Sequence, residues 1–384
     1  MRAARPVLAA LSIVLAVGCG RRDTEKRPLP IVPDPIEDDA GSPEPDGVFQ
    51  VATACALPYR TTVSAPRTWR VPFTTVRPGH RVQLAFWGHW SDATLREVWF
   101  GRFLGEGEVE DPVQVTFGGD PDAALSLGIP GISDPFDYEV RSGARYAVSF
   151  SATGSVPEGL DFEGDGVTAP GDQASEPVLE GDPDFRVHGL KWVAVRGAPR
   201  RVVAVLGDSI GAGQAAFRAD ERFFEIAQRM LGYPVVDASV GGDGIERALN
   251  RLNRDVLELP GVTDCLVQVG TNDLHRADTA FLVDGLTEAY ARLRASGVRP
   301  WGATLIPKGP GHLTEAGEQT RLEVNDFIRS SRLLEGLADF DAALRDPADP
   351  SSPLPRVLPD GIHPASSGHR ALAEELVRAL RASE

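Results

Sequence analysis

Four short polar blocks in the second half of this chain hold residue types suited to acyl transfer. Gly207-Asp208-Ser209-Ile210 carries a hydroxyl, and Ser239-Val240-Gly241-Gly242-Asp243-Gly244 carries adjacent glycines. Gly270-Thr271-Asn272-Asp273 carries a side-chain amide, and Asp360-Gly361-Ile362-His363-Pro364 sets a carboxylate three positions before an imidazole. A serine hydroxyl is a poor nucleophile until a base takes its proton, which His363 can do. Asp360 can accept the other ring N–H and fix the tautomer. A tetrahedral oxyanion needs donors already in place. The backbone N–H groups of Ser209 and Gly242 and the Asn272 amide supply three, and glycine at 242 lets the backbone come close.

The elements that must position these blocks follow from hydrophobic periodicity. Val202–Leu206, Val235-Val236, Cys265–Val269, Trp301–Ile306 and Leu337–Phe340 are short apolar runs that predict strands. Between them lie helical patterns: Phe217 to Leu231, Ile245 to Leu257, Phe281 to Leu293, Glu315 to Ile328 and Gly368 to Leu380. Strands alternating with helices predict an α/β fold, a parallel sheet covered on both faces. Ligands on such sheets bind outside the carboxyl ends of the strands, where the four blocks fall.

Other residues compete for these roles. His369 is a rival base, but it lies where the last helix starts and has no Asp three positions away. His275 and His312 are candidates for touching substrate. Asp273 is expected to orient its own loop, and Asp208 to hold the first turn. Gly207 to Gly211 also fits G-x-S-x-G, yet the Ser follows the first strand of its domain and no His-Gly-Gly loop precedes it. Gly211 to Ala216 fits G-x-G-x-x-A with Asp237 ending the next strand, but a dinucleotide reading leaves Asn272, Asp360 and His363 unexplained.

The set of four blocks resembles the SGNH (GDSL-like) hydrolase family from about Arg201 to the C-terminus. Ser209, Gly242, Asn272 and His363 match its four positions and Asp360 its triad acid. The Leu257–Val262 linker, the Gly302–Pro307 strand and Phe340–Pro347 are similar to the xylan-esterase-like branch, which carries a β-rich N-terminal domain. The resemblance implies a flavodoxin-like three-layer sheet, no metal or other cofactor, and hydrolysis of esters such as sugar O-acetyl or lipid acyl groups.

Ahead of this domain, assigned to 198–384, residues 51–197 alternate with a period of two. Examples are Arg81–Trp87, Glu97–Phe103, Pro112–Phe117, Arg145–Phe150 and Val187–Val195, separated by Gly, Pro and Asp. That pattern predicts a β-sandwich or jelly roll. Trp87, Trp90 and Trp99 read as core before they read as a sugar platform. His80, His89 and His188 lack metal-ligand spacing.

Residues 1–19 read as a lipoprotein signal peptide. Arg2 and Arg5 precede the apolar run Val7–Val17, too short to span a bilayer, and Cys19 follows small residues as in a lipobox. A lipid on Cys19 would tether the exported protein to a membrane, and Gly20 after it suggests the outer membrane of a Gram-negative cell. Residues 20–50 are rich in Pro and acid and read as a disordered spacer. The 384-residue chain has 39 basic and 55 acidic residues, a net charge of -16, which disfavours nucleic acid as a partner. Cys55 and Cys265 are left after lipidation, and the sequence leaves their pairing open.

The expected function is a monomeric serine esterase that removes acetyl groups from a carbohydrate. The alternatives are a lysophospholipase or short-chain acyl esterase using the same residues, and a non-catalytic glycan-binding lipoprotein.

Overall fold

A computed structural model describes residues 47–88, 92–160 and 164–384. The leader, Cys19, most of the spacer, His89 and Trp90 lie outside the described residues.

Five parallel strands form the C-terminal sheet: β1 (Val203–Gly207), β2 (Val235–Asp237), β3 (Asp264–Gln268), β4 (Arg299–Ala303) and β5 (Gly336–Ala338). Their spatial order is β2-β1-β3-β4-β5, the flavodoxin-like arrangement. Six α-helices accompany them: α1 (Phe223–Leu231), α2 (Ile245–Leu252), α3 (Thr279–Ala295), α4 (Glu315–Ser330), α5 (Phe340–Leu344) and α6 (Ser366–Arg381). Alternate residues of β1 enter opposite cores. Val203 and Val205 pack with Phe223 of α1 and Leu376 of α6, while Ala204 and Leu206, with Val202 just before the strand, pack with Ile245 of α2 and Leu286 of α3. A strand covered on both faces must be apolar throughout, which is why β1 reads as an unbroken run.

Two antiparallel sheets precede this unit. One pairs Val48–Ala54 with Leu190–Gly197 and then Gly79–Trp87. The other is built around Tyr59–Thr74, Arg145–Leu160 and Ala93–Gly105. They face each other across a core that includes Trp69, Phe86, Phe100 and Phe150, so the β-sandwich is present. The first sheet is buried on its other face as well. Val193 and Val195 point into the sandwich, whereas Trp192 and Ala194 join the α/β core beside Val256 and Leu259. The period of two therefore serves two cores at once.

Some local expectations need correction. Val48 to Gln50, read as the end of the spacer, begin the first strand. The Gln50 amide donates to the carbonyls of Arg200 at 2.7 Å and Gly261 at 3.1 Å, a pairing of distant segments that local composition does not reveal. Phe217 is not helical and is 88% exposed, because a short 3-10 turn at Ala219–Glu221 delays α1 to Phe223. The strand expected at Pro112–Phe117 runs over Glu108–Gln114. Phe340 opens α5 rather than ending β5. Cys55 and Cys265 are both buried and are not joined to each other.

Candidate active site

Sheet order reverses between β1 and β3, since the chain leaves β1 for β2 on one side and returns to β3 on the other. The crevice at such a switch point is where these sheets bind ligands. Gly207, the last residue of β1, pairs with Gln268, the last of β3. The Ser209 and Asn272 loops therefore leave the sheet side by side.

Ser209 sits in the turn directly after β1. Its neighbour Asp208 is fully buried, and the Asp208 Oδ1 accepts the Ile210 N–H at 2.8 Å. That bond closes the turn, as expected for Asp208. Burial pushes the Asp208 carboxyl up to about 6, partly offset by the Ile210 N–H and the charge of Lys308. Ser209 Oγ lies 2.8 Å from His363 Nε2 across 154 residues of sequence. His363 Nδ1 lies 2.6 Å from Asp360 Oδ2. The other Asp360 oxygen accepts the backbone N–H groups of Ile362 at 2.9 Å and His363 at 2.7 Å. Partial burial raises the Asp360 carboxyl, but these bonds and the His363 ring outweigh it and hold the group well below the usual carboxylate range. Hydroxyl, imidazole and carboxylate thus form one hydrogen-bonded chain.

The Gly241-Gly242 turn forms a second wall. A Cβ on Gly241 would stand 3.8 Å from the Ser209 Cβ. Gly242 has φ +81 and open space where a side chain would be, so no side chain covers its backbone. Gly270, at φ +125, turns the chain into the Asn272 block. Asn272 Nδ2 donates to the Asp243 carbonyl at 2.9 Å. An amide NH2 has two hydrogens, and this bond uses one while fixing the plane. Asp273 does more than shape its own loop. Its Oδ2 accepts the Ile245 N–H at 2.8 Å, the first turn of α2. It thereby ties the Asn272 block to the Gly242 block.

The rival residues fall elsewhere. His369 is fully buried, stacked on Phe223, with Nε2 3.2 Å from the Gln214 carbonyl. Burial lowers it to about 4, so it is a neutral core histidine. His275 is exposed in the 3-10 segment Thr271–Arg276. His312 is exposed too, but its ring covers Gly361, where a Cβ would stand 2.2 Å from Nε2. An open groove of about 540 Å³ runs past Asp360 and is lined by His312, Leu354, Arg356 and Leu358. His188 bonds Asp184 at 3.0 Å and stacks on Trp69 inside the β-rich part, and Trp87 is buried there. The Gly211–Gly213 run does not open a helix, because α1 starts only at Phe223. It therefore lacks the helix N-terminus on which a pyrophosphate would sit.

Two buried cations near the site were not singled out from the sequence. Arg251 of α2 donates to Asp243 Oδ2 at 2.6 Å, to the Gly207 carbonyl at 2.7 Å and to the Ala238 carbonyl. It ties the end of β1 to the loop after β2 under the crevice. The signal was an Arg on the otherwise apolar face of α2. Lys308 follows β4 and is buried as well.

No curated protein is similar in sequence. Among solved structures, TesA is 21% identical over 48% of this chain and 100% of its own, with a TM-score of 0.40. The psychrotrophic esterase EstA from Pseudoalteromonas sp. is 16% identical over 48% and 98%, with a TM-score of 0.38. A family two carbohydrate esterase from Cellvibrio japonicus is 15% identical over 88% and 96%, also at 0.38. Residues 205–371, which contain all four polar blocks, match the model of the GDSL-like Lipase/Acylhydrolase family.

Proposed function

We propose that this protein hydrolyses carboxylic esters through an acyl-enzyme on Ser209, and that its substrate is an acetylated polysaccharide. The observation that carries the reaction is the Ser209–His363–Asp360 chain, with bonds of 2.8 and 2.6 Å. His363 Nε2 takes the Ser209 proton as Oγ bonds to the ester carbonyl carbon. The carbonyl electron pair moves onto oxygen, facing the N–H groups of Ser209 and Gly242 and the Asn272 amide. His363 then gives the proton to the departing alcohol oxygen as the C–O bond breaks. Water repeats the cycle on the acyl-enzyme and releases the acid. Asp360 stays ionised, holds the ring in one tautomer and balances the imidazolium. The reaction calls on no cofactor.

Support for a carbohydrate comes from the β-rich part. A groove of about 990 Å³ there carries the exposed rings of Tyr59 and Phe185, with Arg60, Glu158 and Arg186 beside them. Flat rings flanked by charged hydrogen-bonding groups suit sugar rings. A lysophospholipase or acyl-esterase reading is favoured by one feature, the Leu354 and Leu358 lining of the groove next to Asp360. Hydrolysis of p-nitrophenyl esters from two to twelve carbons, beside acetylated xylan, separates the two. The proposal expects activity concentrated at the acetyl ester and acetate release from xylan. A maximum at long chains rejects the polysaccharide reading, and xylan binding with no ester cleavage anywhere would leave a non-catalytic glycan binder.

The same reading takes the protein to be an exported monomer, lipid-anchored through Cys19 at the outer membrane. Cys19→Ser should move it from the membrane to the soluble fraction, and an unchanged distribution would remove the anchor.

A further inference from the structure

Buried charges are normally paired and hydrogen-bonded, so one that is not demands a reason. Lys308 is 7% exposed, and its Nζ has no hydrogen-bond partner among the described residues. Asp208, fully buried, has an Oδ2 that no donor reaches in hydrogen-bond geometry, with the Gln268 side chain beside it. Each charge acts on the other. Lys308 acts on Asp360 as well, with Arg321 of α4 opposing it. The backbone next to Lys308 touches the Asp360–His363 loop directly. Gly309 N–H donates to the Gly361 carbonyl at 2.7 Å, and a Cβ on Gly309 would stand 2.7 Å from Gly361 Cα.

We propose that Lys308 is a positioning residue that couples the serine turn to the histidine loop, its ammonium serving the carboxylate that shapes the Ser209 turn and the one that holds His363. This inference rests on the ester hydrolysis proposed above and names a residue outside the reacting chain. Beside the Ile210 N–H, the cation helps a charged Asp208 persist beneath Ser209. It also lends positive potential to the imidazole loop. Burial lowers the Lys308 amine to about 8, with Asp208 and Asp360 resisting the fall, so the coupling should weaken as pH rises through that value.

The test uses p-nitrophenyl acetate with the whole protein. Lys308→Met should lower kcat at least tenfold while KM changes less than threefold. It should also move the acid limb of kcat/KM to higher pH, because loss of a nearby cation favours the imidazolium. Lys308→Arg should restore the position of that limb. Asp208→Asn combined with Lys308→Met should cost no more than the worse single change, since the two act as one unit. If Lys308→Met does not fold, the unmodified protein still decides. Its kcat, corrected for spontaneous hydrolysis, should fall as pH rises through about 8, and a flat profile to pH 9.5 would overturn the proposal. So would a folded Lys308→Met with unchanged kcat and an unmoved limb, or additive losses in the double variant. Ser209→Ala run in parallel separates the outcomes. An inactive Ser209→Ala beside a fully active Lys308→Met sinks only the lysine, whereas an active Ser209→Ala sinks the serine reading itself.

Discussion

On the proposed mechanism, Asp360→Asn isolates the part of catalysis that depends on tautomer. In the native chain Asp360 Oδ2 faces His363 Nδ1 at 2.6 Å, which keeps the proton on Nδ1 and leaves Nε2 free to accept from Ser209. Asn has the same shape. Its oxygen can still accept the Ile362 and His363 backbone N–H groups that close the loop, so the fold should be retained. With the oxygen so engaged, its NH2 faces Nδ1 and favours the tautomer with the proton on Nε2, where it blocks the base. The equivalent change in a buried serine-protease triad costs about 10,000-fold. The Asp360 side chain is 50% exposed, so water can replace part of the lost bond and the cost should be smaller. We expect a fall of about 1,000-fold in kcat/KM, about 4 kcal/mol of transition-state stabilisation. The assay is p-nitrophenyl acetate hydrolysis from pH 5 to 9, with thermal unfolding alongside. A folded Asp360→Asn within threefold of the unmodified enzyme would refute the reasoning.

Three further outcomes are expected. Asn272→Ala removes a proposed oxyanion donor and should lower kcat about 100- to 1,000-fold with little change in KM; a KM effect alone would move Asn272 out of that role. Lys191→Met breaks a buried bond to Asp255, whose side chain is fully enclosed and is also held by Arg254 at 2.8 Å. It should cost about 2–4 kcal/mol in urea unfolding at neutral pH. Burial raises Asp255, but Lys191 and Arg254 outweigh it and hold the carboxyl below its ordinary value. That stabilisation is therefore present above the unfolded value of 3.8 and fades as pH falls below it, so the two proteins should converge in strong acid. Equal stability at neutral pH would contradict this. Finally, Tyr59→Ala with Phe185→Ala should weaken retention on acetylated xylan while leaving p-nitrophenyl acetate turnover unchanged; equal retention would remove the groove from substrate binding.

The candidate site's geometry was legible where chemistry and local pattern coincide. Ser209, Asn272 and the Asp360–His363 pair stand in polar, glycine-rich segments at the ends of apolar runs, and a parallel sheet can only gather them at one edge. The β-sandwich was legible for the same reason, since alternation needs only neighbouring residues. Legibility failed where tertiary contact overrides local pattern. Trp192 and Ala194 read as one face of an ordinary strand, yet that face seals against the α/β core. Lys308 and Arg251 look like surface charges among neighbours of mixed polarity, and only the closure of distant loops buries them. Phe217 looks like a helix residue, but a single turn at Ala219–Glu221 leaves it outside. His312 meets Gly361 only because the β4 and α6 approaches converge.

The most direct measurement is covalent trapping with diethyl p-nitrophenyl phosphate, which phosphorylates a serine only when a neighbouring base has primed it. Peptide mass mapping should find one adduct, on Ser209, forming as activity is lost, and His363→Ala should slow its formation at least 100-fold. An adduct on another residue, or full activity in a protein already modified at Ser209, would contradict the account.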